Sequence, residues 1–193
     1  MRKIIGIDID GVITDEIHEN KNIWHNALCN YLGYHVDMVK ESYYFDQAYD
    51  LPMEIIDSFL EEKIEEIYSN VKIDQNAQKT INYLYQRDFE IHLITARDKK
   101  HQQITEKWIV KNKVEYSSLS HEEDKAPLAV EKNIQLFIED HAKNALSISQ
   151  QGIKVLLLNK YHNQHFKENK DLISRVNDWC EIKIAIDKFF SLQ

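Results

Sequence analysis

Turn-forming residues and sulfur are scarce in this chain: its 193 residues include 4 glycines, 2 prolines and 2 cysteines. So little Gly and Pro excludes collagen-like and low-complexity classes. Cys29 and Cys180 are too few for a disulfide framework and show no metal-cluster spacing, which suits a reducing cytosol. No apolar run has membrane-spanning length, and the N-terminus opens directly on a strand pattern rather than a signal peptide. The default expectation is a cytoplasmic protein with no membrane partner. An excess of positive charge is also absent, with 24 basic and 32 acidic residues giving a net charge of −8. That balance argues against a nucleic acid polymer or an acidic membrane surface as partner.

What is there is an ordinary globular composition, 43% hydrophobic and 29% charged. The length suffices for one α/β core with an insert, or for two small domains. Ile4–Ile9 is a short β-branched run that reads as a buried strand. Helical spacing follows over Asn20–Leu32, with Gly33 as a stop, then over a short stretch, Val36–Glu41, and over Met53–Tyr68. In the last of these, Glu61, Glu62, Glu65 and Glu66 read as a solvated face. Asn76–Arg87 reads as a helix, Phe89–Thr95 as a strand, Lys99–Asn112 as a helix and Val114–Ser118 as a weak strand. Pro127–Lys132 reads as a helix, Ile134–Asp140 as a strand, Asn144–Gln150 as a helix and Ile153–Leu158 as a strand. Leu172–Phe190 closes the chain as helix. Strands alternating with helices predict an α/β fold, a Rossmann-like parallel sheet flanked by helices, with its site at the strand carboxyl ends.

Three of those ends share one chemical theme. The first strand runs into Asp8-Ile9-Asp10-Gly11, two carboxylates followed by a residue that permits a sharp turn close to a ligand. Unpaired carboxylates there repel each other and resist desolvation, and a divalent cation removes both problems. Thr95 ends the second strand. Its hydroxyl can donate to a phosphate oxygen, although Thr at a strand end is commonly a turn or cap residue. Arg97 has the fork that matches phosphate, or is a surface arginine. Glu139-Asp140 ends the third strand as a further oxygen-ligand pair; capping the next helix is the competing role for Asp140. Lys125 lies beside Pro127, which can open a helix. Lys132 is the competing lysine, but it falls in the helix leading into the strand.

These elements, in this order, resemble the motifs of the haloacid dehalogenase-like (HAD) phosphohydrolases. Those motifs are Asp8-Ile9-Asp10-Gly11-Val12, then Leu93-Ile94-Thr95, Lys125, and Glu139-Asp140. The resemblance implies Asp8 as nucleophile, with Asp10 protonating the leaving oxygen and later activating water. It implies Mg²⁺ held by Asp8, the carbonyl of Asp10, and Asp140. Glu139 would support the ion from behind; Asn144, one helical turn beyond Asp140, is a candidate by position alone to support the site. Thr95, Lys125 and the backbone amides from Gly11 on would bind phosphate, with Arg97 a further candidate on the strength of its fork alone. An acidic residue at position 10 goes with phosphatases and phosphomutases in that superfamily.

The long separation of Asp8 from Thr95 resembles a helical cap inserted after the first motif. The expected division is an α/β core over residues 1–14 and 75–193, with an all-helical cap over residues 15–74. Within the superfamily the chain looks most like the 5′(3′)-deoxyribonucleotidase-type group. The supporting residues are Asp8 to Asp15, Tyr44-Phe45-Asp46 through Tyr49-Asp50-Leu51, and His162-Asn163. Thr95-Ala96-Arg97 departs from that group's Thr-Ser-Pro. Tyr44, Phe45 and Tyr49 are candidates for the substrate pocket, whereas helical spacing assigns Trp24 to the core. The histidines show no spacing of a metal set, and His162 is the one that stands apart. The expected activity is Mg²⁺-dependent hydrolysis of nucleoside monophosphates through an aspartyl-phosphate. A sugar-phosphate phosphatase and a non-catalytic nucleotide-binding regulator are the alternatives. A homodimer is expected only as the commonest assembly.

Overall fold

A computed structural model describes residues 2–19, 21–167 and 171–192. Its centre is a six-stranded parallel sheet. The strands are β1 (Lys3–Ile7), β2 (Phe89–Thr95), β3 (Ser118–His121), β4 (Leu136–Glu139), β5 (Lys154–Leu158) and β6 (Ile173–Val176). They lie in the order β6-β5-β4-β1-β2-β3. The helices are α1 (Ile23–Leu32), α2 (Phe45–Tyr49), α3 (Met53–Asn70), α4 (Gln75–Tyr85), α5 (Gln102–Lys111), α6 (Lys125–Glu131), α7 (Ala142–Gln150) and α8 (Trp179–Phe189).

The sheet is covered on both faces, which is why its central strands read as continuous apolar runs. One core gathers Ile5, Ile7, Leu93, Ile81, Leu84, Trp179, Ile182 and Ile186. The other gathers Ile94, Phe137, Val155 and Leu157 with Ala129 and Ile148. A third core, Leu28, Ala48, Tyr49, Ile56, Phe59 and Ile67, belongs to α1, α2 and α3. Thr14–Asp15 pairs antiparallel with Lys72–Ile73 where the chain leaves and rejoins the sheet layer. Trp108 Nε1 donates to the Val71 carbonyl at 2.7 Å beside that junction.

Several local expectations are corrected. The helix expected from Asn20 starts at Ile23, capped by Asn22 Oδ1; Asn20 itself lies outside the described residues. Ile17–His18 and Lys21–Asn22 pair as a small antiparallel ladder before it. Residues 36–41 form no helix. The weak strand read at Val114–Ser118 is Ser118–His121, on the sheet edge. Leu172–Phe190 is not one helix, because Ile173–Val176 pairs with β5 before Asp178 caps α8. Both strands lie on sheet edges, where short segments need little apolar patterning.

Candidate active site

β1, β2 and β4 are adjacent, and their carboxyl ends bring Asp8, Thr95 and Glu139 to one rim of the sheet. Asp8 N–H donates to the Ile138 carbonyl at 3.0 Å, which ties the start of the turn to the neighbouring strand. The turn then tightens at Gly11, which takes φ 71° and donates its N–H to Thr14 Oγ1 at 2.8 Å. Trp179 Nε1 anchors the far side of the turn by donating to the Val12 carbonyl at 2.8 Å.

Lys125 stands at the first position of α6 and reaches inward. Its Nζ lies 2.7 Å from Asp8 Oδ1 and 2.9 Å from Glu139 Oε2. Burial works against its charge, but Asp8 and Glu139 outweigh that and raise its pKa. Asp8 is itself raised well above the usual carboxylate range by burial and then by Glu139, with Lys125 pulling the other way. Glu139 is raised by burial, against the pull of Lys125. Its Oε1 accepts from Asn144 Nδ2 at 3.3 Å, so Lys125 and Asn144 together engage both oxygens of Glu139.

Asp8, Glu139 and Asp140 each present an oxygen, and these oxygens lie within 4.8 Å of one another. An all-oxygen set of this kind suits a hard divalent cation such as Mg²⁺ or Ca²⁺. With Asp10 and Glu16 nearby, the carboxylates are answered at contact distance by Lys125 and Arg97. The residues present therefore fit a divalent cation, whose charge would offset their mutual repulsion.

Asp140 is held from the outer side. Its carbonyl accepts from Asn163 Nδ2 at 2.7 Å, and its Oδ2 lies 3.3 Å from His162 Nε2. Asn163 is in turn fixed by Arg175, whose Nη1 donates to its Oδ1 at 3.0 Å and Nη2 to its carbonyl at 2.8 Å. Sequence reading singled out the His162-Asn163 pair but not Arg175, whose link to it crosses from β6.

Thr95 is fully buried, and its Oγ1 accepts the Arg97 N–H at 3.2 Å. Arg97 is not a surface arginine, and its guanidinium is already engaged by Asp10 and Thr105. Its guanidinium takes both oxygens of Asp10 and lies 3.8 Å above the Tyr68 ring. Lys125, not Lys132, reaches the carboxylates.

Above this rim opens a cleft of about 320 Å³. Its floor includes Asp10, Gly11, Arg97 and Asp140, and its walls include Glu16, Trp24, Tyr44, Phe45, Ile64 and Tyr68 from the helical segment. Tyr44 and Phe45 thus line it as expected. Tyr49 does not: it is buried in the core of α1–α3 and hydrogen-bonded to His25 at 3.0 Å. Trp24 shifts the other way, since it packs on Phe45 and Tyr68 yet faces the cleft. Glu16 was not singled out from sequence. Burial, then Asp10 and Asp140, raise its pKa to about 7, while a hydrogen bond from Trp24 lowers it.

A metal-type cluster that sequence spacing did not disclose lies in the helical segment, where His25, Cys29 and His35 converge. Among the described residues, no helix is long and apolar enough to cross a membrane.

No protein-family model matches the chain. A nucleotidase of Clostridium acetobutylicum is 32% identical over 96% of this chain and 94% of that protein. Among solved structures, a haloacid dehalogenase-like family hydrolase of Streptococcus pneumoniae superposes with a TM-score of 0.65 at 13% identity, over 95% of this chain and 98% of that one. A HAD family hydrolase of Deinococcus radiodurans, solved with bound phosphate and sodium, superposes with a TM-score of 0.61 at 14% identity, over 97% and 96%.

Proposed function

This chain belongs to the family of the Clostridium acetobutylicum nucleotidase and has the fold of haloacid dehalogenase-like hydrolases, and from that premise we propose that it is a Mg²⁺-dependent phosphomonoesterase of nucleoside monophosphates working through an aspartyl-phosphate. One observation carries the reading. A buried carboxylate, Asp8, sits 2.7 Å from a buried ammonium, Lys125, and beside Asp140, under an aromatic-walled cleft.

Asp8, Asp140 and the carbonyl of Asp10 would hold the cation. When bound it screens the charge between carboxylate and phosphate that otherwise blocks attack. The chain's own groups do the rest. An oxygen of Asp8 attacks phosphorus, and the bond from phosphorus to the ester oxygen breaks. Asp10 gives its proton to the departing nucleoside oxygen. Asp10 then takes a proton from water, whose oxygen attacks the phosphorus. Phosphate leaves and the Asp8 carboxylate is restored. Lys125 and Thr95 stabilise the equatorial oxygens, with Lys125 also neutralising Asp8; Gly11, expected as a phosphate contact, adds no such donor because its N–H is already given to Thr14 Oγ1. Arg97 contributes by holding Asp10 rather than by meeting phosphate directly.

Residues 15–74 act as the cap in this reading. Trp24, Tyr44 and Phe45 offer faces for a base, and their closure over the rim excludes water. Two free cysteines fit a cytoplasmic setting. The test is phosphate release from a panel of ribo- and deoxyribonucleoside monophosphates and sugar phosphates, with Mg²⁺ or with EDTA, for wild type and Asp10→Asn. Metal-dependent turnover that favours nucleotides and is lost in the variant is the expected result. Turnover confined to sugar phosphates would discard the nucleotide assignment.

A further inference from the structure

The helical segment holds a second constellation, separate from the carboxylate rim and independent of the reading above. His25 and Cys29 stand four residues apart on α1 and therefore share a face. The helix ends at Gly33, whose φ of 75° is left-handed and whose N–H bonds the Cys29 carbonyl at 3.0 Å. That reversal brings His35 back over the last turn. Cys29 Sγ consequently lies 3.6 Å from His25 Nε2 and 3.9 Å from His35 Nδ1. One ligand atom from each of the three residues lies within 4.8 Å of the others.

The remaining imidazole nitrogens are also accounted for. His25 Nδ1 meets the Tyr49 hydroxyl at 3.0 Å, and His35 Nε2 meets Asp37 Oδ1 at 3.0 Å. Each ring therefore turns one nitrogen to the sulfur and has the other fixed by an oxygen. This is how ligating histidines are oriented in zinc sites, the carboxylate partner included. Bonds of about 2.0–2.1 Å to nitrogen and 2.3 Å to sulfur place tetrahedral ligand atoms roughly 3.5 Å apart. The two edges to Cys29 are already near that spacing. His35 is exposed, which leaves a solvent side for a fourth ligand.

We propose that His25, Cys29 and His35 form a zinc site that clips the end of α1 to the segment carrying His35 and Asp37. Nitrogen and thiolate donors select zinc over magnesium, whereas the all-oxygen rim selects the reverse. The site is tied to the interior of the segment, because Tyr49 is buried there and stacks on both His25 and Phe45. Phe45 lines the cleft, so the stacked rings run from the clip to one of its walls.

The test titrates Co²⁺, as a spectroscopic stand-in for zinc, into metal-free full-length protein with saturating Mg²⁺. Wild type is compared with Cys29→Ser and with the exposed-site variant His35→Asn. A thiolate-to-cobalt charge-transfer band that zinc bleaches is expected for wild type. The band should vanish in Cys29→Ser, and affinity should fall by at least about tenfold in His35→Asn. Zinc should raise the thermal midpoint of wild type but not of Cys29→Ser, with Mg²⁺-dependent phosphatase activity within about twofold in all three proteins. Failure of the clip alone, with activity intact, leaves the phosphatase reading standing. Absence of the band from wild type, or its persistence in Cys29→Ser through Cys180, would overturn the proposal.

Discussion

Arg97 grips Asp10 by both carboxylate oxygens, with Nε to Oδ2 at 2.8 Å and Nη2 to Oδ1 at 2.6 Å. The arginine side chain is fully buried while Asp10 is 27% exposed toward the cleft. Thr105 Oγ1 at 3.3 Å and the Tyr68 ring beneath hold the guanidinium in place. A fork of this geometry fixes a carboxylate in plane and direction, which a lysine's single point charge does not. In the proposed mechanism Arg97 is thus a positioning residue for Asp10.

Replacing Arg97 should therefore act on turnover more than on binding. Positioned acid–base catalysis contributes roughly 10²- to 10⁴-fold, so Arg97→Ala should lower kcat by about 10²-fold with KM changed by less than about threefold. Arg97→Lys should recover only part of that loss. Steady-state kinetics on a small aryl phosphate measure both constants, and an unaltered kcat would remove Arg97 from the proton-transfer geometry.

Gly11 supports the opposite kind of prediction, one of pure space. A Cβ there would collide with Asp140 Oδ2 and stand 2.9 Å from Asp140 Cγ, on a backbone with φ 71°. Backbone strain of this kind costs about 1–3 kcal/mol. Gly11→Ala should lose that much in urea denaturation and should lose Mg²⁺-dependent activity altogether, because the side chain displaced is one of the clustered carboxylates. Calorimetric titration with Mg²⁺ would separate lost metal affinity from lost turnover.

The site was legible wherever a side chain sits at the end of a buried strand. Asp8, Thr95 and Asp140 follow largely apolar runs, and a carboxylate there has few stabilising explanations. The preference for Lys125 over Lys132 rests on an expected helix over Pro127–Lys132; the helix found is Lys125–Glu131, so Lys125 opens it and Lys132 lies just past its end. What the chain order concealed were partnerships across space. Asp10 and Arg97 are 87 residues apart, and nothing local to either names the other. Edge strands were similarly opaque: Ser118–His121 lacks an apolar run, and Ile173–Val176 is short enough to be read as part of a helix. The His25, Cys29 and His35 set escaped because its third member reaches the others only through the reversal at Gly33.

Glu16 links the cleft to pH. Its carboxyl is raised to about 7 by burial and by Asp10 and Asp140. The folded state therefore holds a proton that the unfolded chain releases near pH 4.5. Its contribution to stability is complete below that value and is lost as pH rises through about 7. The same ionisation places a negative charge on the cleft wall facing an anionic substrate. KM for nucleoside monophosphates should rise between pH 6 and 8, and Glu16→Gln should flatten that rise while sparing kcat. Midpoints of thermal unfolding across the same range should flatten with it. A wild-type slope of KM in the variant would assign the pH dependence elsewhere.

Tyr44 gives the cleanest separation of substrate recognition from chemistry. It lines the cleft, yet 47% of it is exposed, so truncating it leaves no cavity in a packed core. Trp24 lines the same cleft but packs against Phe45 and Tyr68 at centroid distances of 5.6 and 6.0 Å, so its removal would disturb the helices as well. A base stacked on an aromatic ring is worth about 1–3 kcal/mol. If Tyr44 supplies such a face, Tyr44→Ala should raise KM for nucleoside monophosphates by roughly 5- to 150-fold while leaving kcat/KM for a sugar phosphate nearly unchanged. The ratio of the two specificity constants is the measurement, because it cancels any general loss of active protein. Equal losses on both substrates would mean that the ring closes the cleft over the phosphate rather than reading the base, and the nucleotide assignment would then rest on Trp24 and Phe45.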